Sequence, residues 1–289
     1  MIESPGPWRR WILAARLRTL PTAVVPVAVG TLSVRPATLN WFNTILCALV
    51  ALSMQIGTNY ANDYSDGVRG TDKVRVGPFR LTASGLVGVK KVRLAAFIFF
   101  GVSAMLGLGL AARTSWWLVP IGVSAIFAGW FYTGGPRPYG YFGFGELFVM
   151  LYFGFVATVA TAYSQHHTIP TRAWWLALAA GSAACTMLEA NNLRDISGDQ
   201  VSGKMTLAAR VGRRTASFLV ALFVLLMAVG AAVGVAWWAA FVVVALYLPS
   251  LRLAFSSRTG RELLGLLVVS ARAQLLLGVV LSVSCVFVP

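Results

Sequence analysis

This sequence predicts an all-α membrane protein of nine transmembrane helices, one domain over residues 1–289 with its N-terminus in the cytoplasm, and three observations carry the prediction. Apolar residues make up 58% of the chain and charged ones only 11%, and the apolar residues fall in uncharged runs of the roughly 20 residues that one bilayer crossing needs. Lys and Arg divide unevenly between alternate loops, 20 against the three residues Arg35, Arg113 and Arg172, and the richer set marks the cytoplasmic face. Tryptophan gathers at the other face: Trp41, Trp116 with Trp117, Trp174 with Trp175 and Trp237 with Trp238 each open an even-numbered run, as an aromatic belt at the membrane boundary does. The net charge of +15 is therefore read as loops facing anionic lipid and an anionic substrate, with no nucleic acid implied.

The first span, 19–34, follows Arg16 and Arg18 and contains Pro21 and Pro26. It has no small-residue cleavage site, so it is kept as a helix rather than a signal peptide. The second span covers 40–62, and the third and fourth cover 93–112 and 114–133. The fifth, 143–163, carries Glu146 in its first turn. The helix dipole favours a carboxylate there, and an acid in a membrane segment is also a functional candidate. The sixth covers 173–193. The seventh and eighth, 215–234 and 237–254, share one uncharged run that as a single helix would be roughly 55 Å long against a core of about 30 Å. It must turn near Gly234. The ninth, 263–288, holds Arg272 well inside it, a costly place for a charge without a partner or a polar cavity. Cys47, Cys185 and Cys285 lie in apolar runs with neither metal spacing nor an evident pairing, and read as small core residues. His166 and His167 fall in an outer loop, away from the acids, and read as solvated.

The chemistry is concentrated at two helix ends. Of nine Asp and Glu, five are Asp63, Asp66, Asp72, Asp195 and Asp199. If the second helix continues to Asp66, then Gln55, Asn59, Asn62, Asp63 and Asp66 share a stripe covering about a quarter to a third of its circumference. Carboxylates at a helix C-terminus oppose the dipole by roughly 0.3–1 kcal/mol each and call for a cation. Oxygen-only ligands open to water suit Mg²⁺, which takes one or two carboxylates and completes its shell with substrate phosphate. The loop that follows is basic, and Lys73 and Arg80 lie close to the acids. Asn192, Asp195 and Asp199 form a second stripe within about 60° in helical projection, with Lys204 beyond it. The spacing of Asn62 to Asp66 recurs in Asn191 to Asp195, a weak mark of internal duplication. Two such clusters flanked by Lys and Arg at a membrane interface suit a diphosphate on a hydrophobic tail. Once its charge is neutralised, an allylic C–O bond ionises, and the cation needs a dry pocket with aromatic faces. An electron-rich phenol or naphthol then attacks the allylic carbon.

With these motifs the chain resembles the UbiA superfamily of intramembrane aromatic prenyltransferases. Asn62-Asp63-x-x-Asp66 with Asp72, and Asp195-x-x-x-Asp199, match its two aspartate-rich motifs. The fuller strings, together with Tyr132-Thr133-x-Gly135-x-Arg137-Pro138-Tyr139-Gly140-Tyr141 and Gly203-Lys204-x-Thr206-Leu207, resemble the branch that acts on 1,4-dihydroxy-2-naphthoate in menaquinone synthesis. The likeness runs from about Arg16 to the C-terminus. It implies a bundle around a central cavity, with Mg²⁺ held by Asn62, Asp63, Asp66, Asp72, Asp195 and Asp199. It places Lys73, Arg80, Arg137, Tyr139 and Asn192 at the diphosphate, and makes Asp66, Asp195, Lys204 and Glu146 the catalytic set. It also implies polyprenyl diphosphate and 1,4-dihydroxy-2-naphthoate as substrates, prenylated with loss of CO₂ and diphosphate, at a site opening to the cytoplasm from the cell membrane. Gly70 departs from the simpler pattern, since other branches carry Asp there and Asp72 lies two residues further on. Hydroxybenzoate, homogentisate or haem remain alternative acceptors. A cation-coupled secondary transporter is the alternative from another class, although its acids belong near the midplane on broken helices. A CDP-alcohol phosphotransferase also uses membrane Asp clusters, but Asp66-Gly67 is not followed by that motif's Ala-Arg.

Overall fold

A computed structural model describes residues 5–34, 39–71 and 79–288. Among the described residues every regular element is helical. Helix α1, Pro7–Ala14, ends where Arg16 turns left-handed at φ 54. A short 3₁₀ turn, Leu17–Thr19, leads into α2, Pro21–Leu32, with a bend of 51° between the two arms. Helix α3, Trp41–Arg69, starts at Asn40, whose side chain accepts a hydrogen bond from the Asn43 amide, and stops at Gly70, whose φ of 76 makes the left-handed cap that glycine adopts without strain. Helices α4, Val89–Arg113, and α5, Leu118–Phe131, follow.

The next rod is composite: α6, Gly145–Val149, a π-helical stretch Met150–Val156, and α7, Ala157–His166. Helix α8 is Thr171–Val201 and α9 is Leu207–Gly234. Helix α10, Trp238–Ala254, and α11, Leu264–Phe287, complete the bundle.

Each of the nine predicted ranges falls on a helix, and the chain turns between Gly234 and Trp238 as expected. Five rods are long and apolar enough to cross a membrane: α3, α4, Gly145–His166, α9 and Gly260–Phe287. The bent α1–α2 pair makes a sixth, and α5 and α10 are apolar but shorter. The corrections lie at helix ends. Helix α3 runs to Arg69 rather than 62 and α8 to Val201 rather than 193, so both acidic stripes are helical throughout. Hydropathy falls where the polar residues begin, but the backbone stays helical because those side chains find partners inside the bundle.

Helix α8 is buried along most of its length. Its Ala179 and Ala183 pack with Met227 of α9, Tyr247 of α10 and Leu277 of α11 in one cluster. Small residues matter here, because lipid tails give helices no hydrophobic reason to associate and close backbone approach supplies the dispersion energy instead. At Gly154 the π-helical stretch lies directly against Gly181 of α8, and a Cβ on either glycine would overlap the facing helix. Arg272 is not turned toward a polar cavity: it is exposed on the outer face of α11.

Candidate active site

The last turns of α3 carry the centre of the site. Asp66 is 1% exposed. Its Oδ1 accepts a hydrogen bond from the Tyr141 hydroxyl at 2.9 Å, and its Oδ2 faces the Lys204 ammonium at 3.3 Å and the Arg80 guanidinium at 3.9 Å. These partners come from three separate connections. Tyr141 sits on the 3₁₀ turn Tyr139–Phe142, past the Gly-Pro loop that follows α5. Lys204 comes from the turn after α8, where Gly203 takes φ 72 and sends the chain back across the helix end. The two acidic motifs therefore meet through Lys204, 138 residues from Asp66. Burial, and then the negative charge of Asp66, push the Tyr141 phenol upward, so it stays a donor.

Arg80 owes its place to Asp63. The Asp63 carboxylate accepts the Leu81 amide at 2.8 Å and the Thr82 amide at 2.9 Å, and the side chain is fully buried. It pins the returning loop onto α3 and stands outside the wall of the central cavity. Both oxygens are committed to that loop, which departs from the expected role as a metal ligand. Gly67 makes the approach possible, because a Cβ there would overlap the Thr82 side chain. Asp63→Asn replaces an acceptor by an amide N–H facing a backbone N–H. Each buried donor left unpaired costs roughly 1–3 kcal/mol, so the thermal midpoint should fall by several degrees. Half-saturation by Mg²⁺ should stay within about threefold of wild type. A large rise in the Mg²⁺ requirement at unchanged stability would return Asp63 to the metal.

The second stripe is organised differently. Asp195 is held by its neighbour Arg194 in a two-point contact, 2.7 Å to Oδ1 and 2.6 Å to Oδ2. Asp199 accepts from the Thr206 hydroxyl at 3.4 Å, and Thr206 in turn caps α9 at the Ala209 amide. Asn192 donates to Glu146 Oε1 at 2.8 Å, which puts Glu146 behind the wall rather than in the cavity. Asn62 accepts from the Thr133 hydroxyl at 2.8 Å.

A cavity of about 840 Å³ runs from this cluster into the bundle. Asn62, Asp66, Arg80, Asn192, Arg194 and Lys204 line its polar end, and Tyr139, Phe148, Tyr152 and Phe153 are among the aromatics along the remainder. Tyr139 was expected at the diphosphate. Its hydroxyl instead donates to the Ala128 carbonyl at 2.9 Å, and its ring stacks on Phe148 with centroids 4.0 Å apart. Arg137 is exposed and away from the cavity. Asp72 and Lys73 lie outside the described residues.

Three contributors escape the motif reading: Tyr141, Glu189 and Arg194. Tyr141 closes a string whose Arg137 and Tyr139 drew the attention. Glu189 is an acid in an apolar run, the same signal that marked Glu146. Among the described residues no three acidic, His or Cys side chains converge into a ready cage for a metal. The oxygens present are those that share a cation with phosphate rather than enclose it.

The pattern of the UbiA prenyltransferase family matches residues 23–262. The chain belongs to the UbiA prenyltransferase family. It is 46% identical over 206 residues to 1,4-dihydroxy-2-naphthoate octaprenyltransferase of Mycobacterium tuberculosis, covering 70% of each chain. To the Escherichia coli enzyme of the same name it is 36% identical over 216 residues, covering 70% of this chain and 68% of the relative. The fold is that of the solved UbiA homologues. One from Archaeoglobus fulgidus, bound to GPP and Mg²⁺, superposes with a TM-score of 0.68 at 15% identity, covering 96% of this chain and 100% of the other. An apo UbiA homologue from Aeropyrum pernix superposes at 0.70 with 12% identity, covering 93% and 97%.

Proposed function

We propose that this UbiA-family chain transfers a polyprenyl group from polyprenyl diphosphate to 1,4-dihydroxy-2-naphthoate, with loss of diphosphate and CO₂. The observation that carries the reading is Asp66, joined by Lys204, Arg80 and Tyr141 at the polar end of a long aromatic-lined cavity. A diphosphate fits the charged end and a prenyl chain fits the rest. The naphthoate acceptor is supported by the relatives' name at 46% and 36% identity.

The donor set fits Mg²⁺, since it is made of carboxylates and carboxamides facing a cavity with room for phosphate. Asp66, Asn62, Asp195 and Asp199 would hold it. Asp195 joins only by giving up part of its contact with Arg194. When bound, Mg²⁺ neutralises negative charge on the departing diphosphate. Lys204 and Arg80 supply further positive charge at the phosphates, and Tyr141 holds Asp66 in place. Ionisation of the allylic C–O bond leaves a cation that the faces of Tyr139, Phe148 and Tyr152 stabilise without trapping it. Water must be kept out at this stage.

The acceptor carbon that bears the carboxylate attacks the allylic cation, forming the new C–C bond where the C–O bond to diphosphate has already broken. That carbon has no hydrogen to lose. The C–COO⁻ bond breaks instead, its electron pair returns to the ring, and CO₂ departs. Supplying 1,4-dihydroxy-2-naphthoate with ¹³C in its carboxyl group should give a prenylated lipid without the label, and labelled CO₂. Retention of the label in the product, or turnover with 4-hydroxybenzoate alone, would assign another acceptor.

The same proposal includes one domain crossing the membrane nine times, with the N-terminus and the diphosphate site on the cytoplasmic face. The 20-to-three division of Lys and Arg supports that orientation. Ser84→Cys and Thr168→Cys test it, since both positions are exposed and the native Cys47, Cys185 and Cys285 are buried. An impermeant thiol reagent on intact cells should label position 168 and spare position 84. The opposite result inverts the topology.

A further inference from the structure

Behind the cavity wall lies a pair of acids that the transfer reaction as written does not use. Glu189 of α8 is fully buried and Glu146 of α6 is 6% exposed, and the two carboxyl groups are immediate electrostatic neighbours. No N–H or O–H of the described protein reaches Glu189 Oε1, Glu189 Oε2 or Glu146 Oε2. Two carboxylates bond to one another only when a proton sits between them, and two buried anions in contact without one would repel strongly. The pair is therefore a singly charged unit holding one proton. The other titratable group beside it is Cys185, whose Sγ donates to the Glu146 carbonyl at 3.3 Å.

What the pair holds is Asn192. The Asn192 Nδ2 donates to Glu146 Oε1 at 2.8 Å, so the charge of the pair rests on the amide. The residue is 5% exposed, and that remaining surface belongs to the cavity. With Nδ2 fixed behind the wall, Oδ1 is the atom presented to the cavity. A carbonyl oxygen is a poor neighbour for diphosphate and a good one for a hydroxyl donor. Asn192 lies three residues inward of Asp195 on α8, about 4.5 Å along the axis, and shares the cavity wall with Tyr132 and Tyr139.

We propose that Asn192 binds a hydroxyl of the aromatic acceptor through Oδ1, and that the proton-sharing Glu146–Glu189 pair positions and polarises its amide. The inference rests on the prenyl-transfer reading above and moves Asn192 from the diphosphate to the acceptor. A chain running from hydroxyl to amide to carboxylate strengthens each bond in it. It draws the hydroxyl hydrogen away from the ring oxygen and so enriches the ring without removing a proton. Glu146 and Glu189 act through Asn192 and are positioning residues.

The experiment compares 1,4-dihydroxy-2-naphthoate with its two analogues lacking one hydroxyl each, using the full-length chain with Mg²⁺ and polyprenyl diphosphate. In wild type, removal of the bound hydroxyl should lower kcat/KM by about 10–100-fold. In Asn192→Leu that preference should shrink to about threefold or less, while the KM for polyprenyl diphosphate moves by less than about threefold. Asn192→Ser gives the same comparison should the leucine variant not fold. Glu189→Gln retains an N–H toward Glu146 and should stay within about threefold of wild type, whereas Glu189→Leu should lose about tenfold with the acceptor alone. Full hydroxyl preference in both Asn192 variants, or a rise in diphosphate KM as the main effect, overturns the assignment. Equal damage from Glu189→Gln and Glu189→Leu overturns the shared proton. A wild-type chain that prenylates no aromatic acceptor removes the underlying reading, an outcome distinct from normal turnover with unaltered hydroxyl preference.

Discussion

Asp66→Asn should lower turnover by about three powers of ten or more, because it removes the charge on which the Lys204, Arg80 and Tyr141 contacts converge and, on the proposed reading, a ligand for the Mg²⁺ that assists diphosphate departure. Asparagine keeps the shape and still accepts from Tyr141 through its oxygen. A buried pair broken on one side leaves its cation uncompensated, so stability must be read alongside rate. Asp66→Glu serves as the control: it restores the charge at a slightly different reach and should recover part of the activity. Melting curves separate loss of chemistry from loss of fold. Turnover of Asp66→Asn within about tenfold of wild type at saturating Mg²⁺ would mean that diphosphate leaves without help from this carboxylate.

Removal of divalent metal produces the second large effect. Exhaustive chelation should lower prenyl transfer by at least about two powers of ten, and added Mg²⁺ should restore it. The fold should persist meanwhile. Lys204 and Arg80 already balance Asp66, and Arg194 balances Asp195, so the acids do not repel one another when the metal is gone. The midpoint of thermal unfolding in the presence of chelator is then expected to shift only by the mass-action term for one bound ion. Undiminished turnover after chelation would remove Mg²⁺ from the mechanism, whereas unfolding on chelation would make the metal structural.

Much of this site was legible before any coordinates, and its errors have a common cause. Helical periodicity put Asn62, Asp66, Asn192 and Asp195 on inward stripes, the family strings pointed to Lys204, and the basic loop beside the acids pointed to Arg80. Periodicity also put Asp63 on the inward stripe, since an adjacent residue on a helix lies only 100° away. The amides of Leu81 and Thr82 claim it instead, and pairing between a side chain and a distant loop leaves no local trace. Arg137 and Tyr139 belong to the same string as Tyr141, yet of the three Tyr141 is the one that bonds to Asp66: Arg137 precedes the 3₁₀ turn on an exposed loop, and within the turn Tyr139 and Tyr141 point in different directions.

Composition, charge asymmetry and motif spacing were sufficient by themselves to specify a helical membrane protein of this family, with two acidic clusters at helix ends and cations beside them. Each of those properties is local: an uncharged run, a 100° step, a fixed string. Tertiary structure alone decided which partners the acids take, since α3, the loop after α5 and the turn after α8 are far apart in sequence and converge only when the bundle closes. It also decided that Arg272 faces outward and that Glu146 meets Glu189. Both depend on the rotation of a helix about its axis, which packing sets and which an apolar run by itself leaves open.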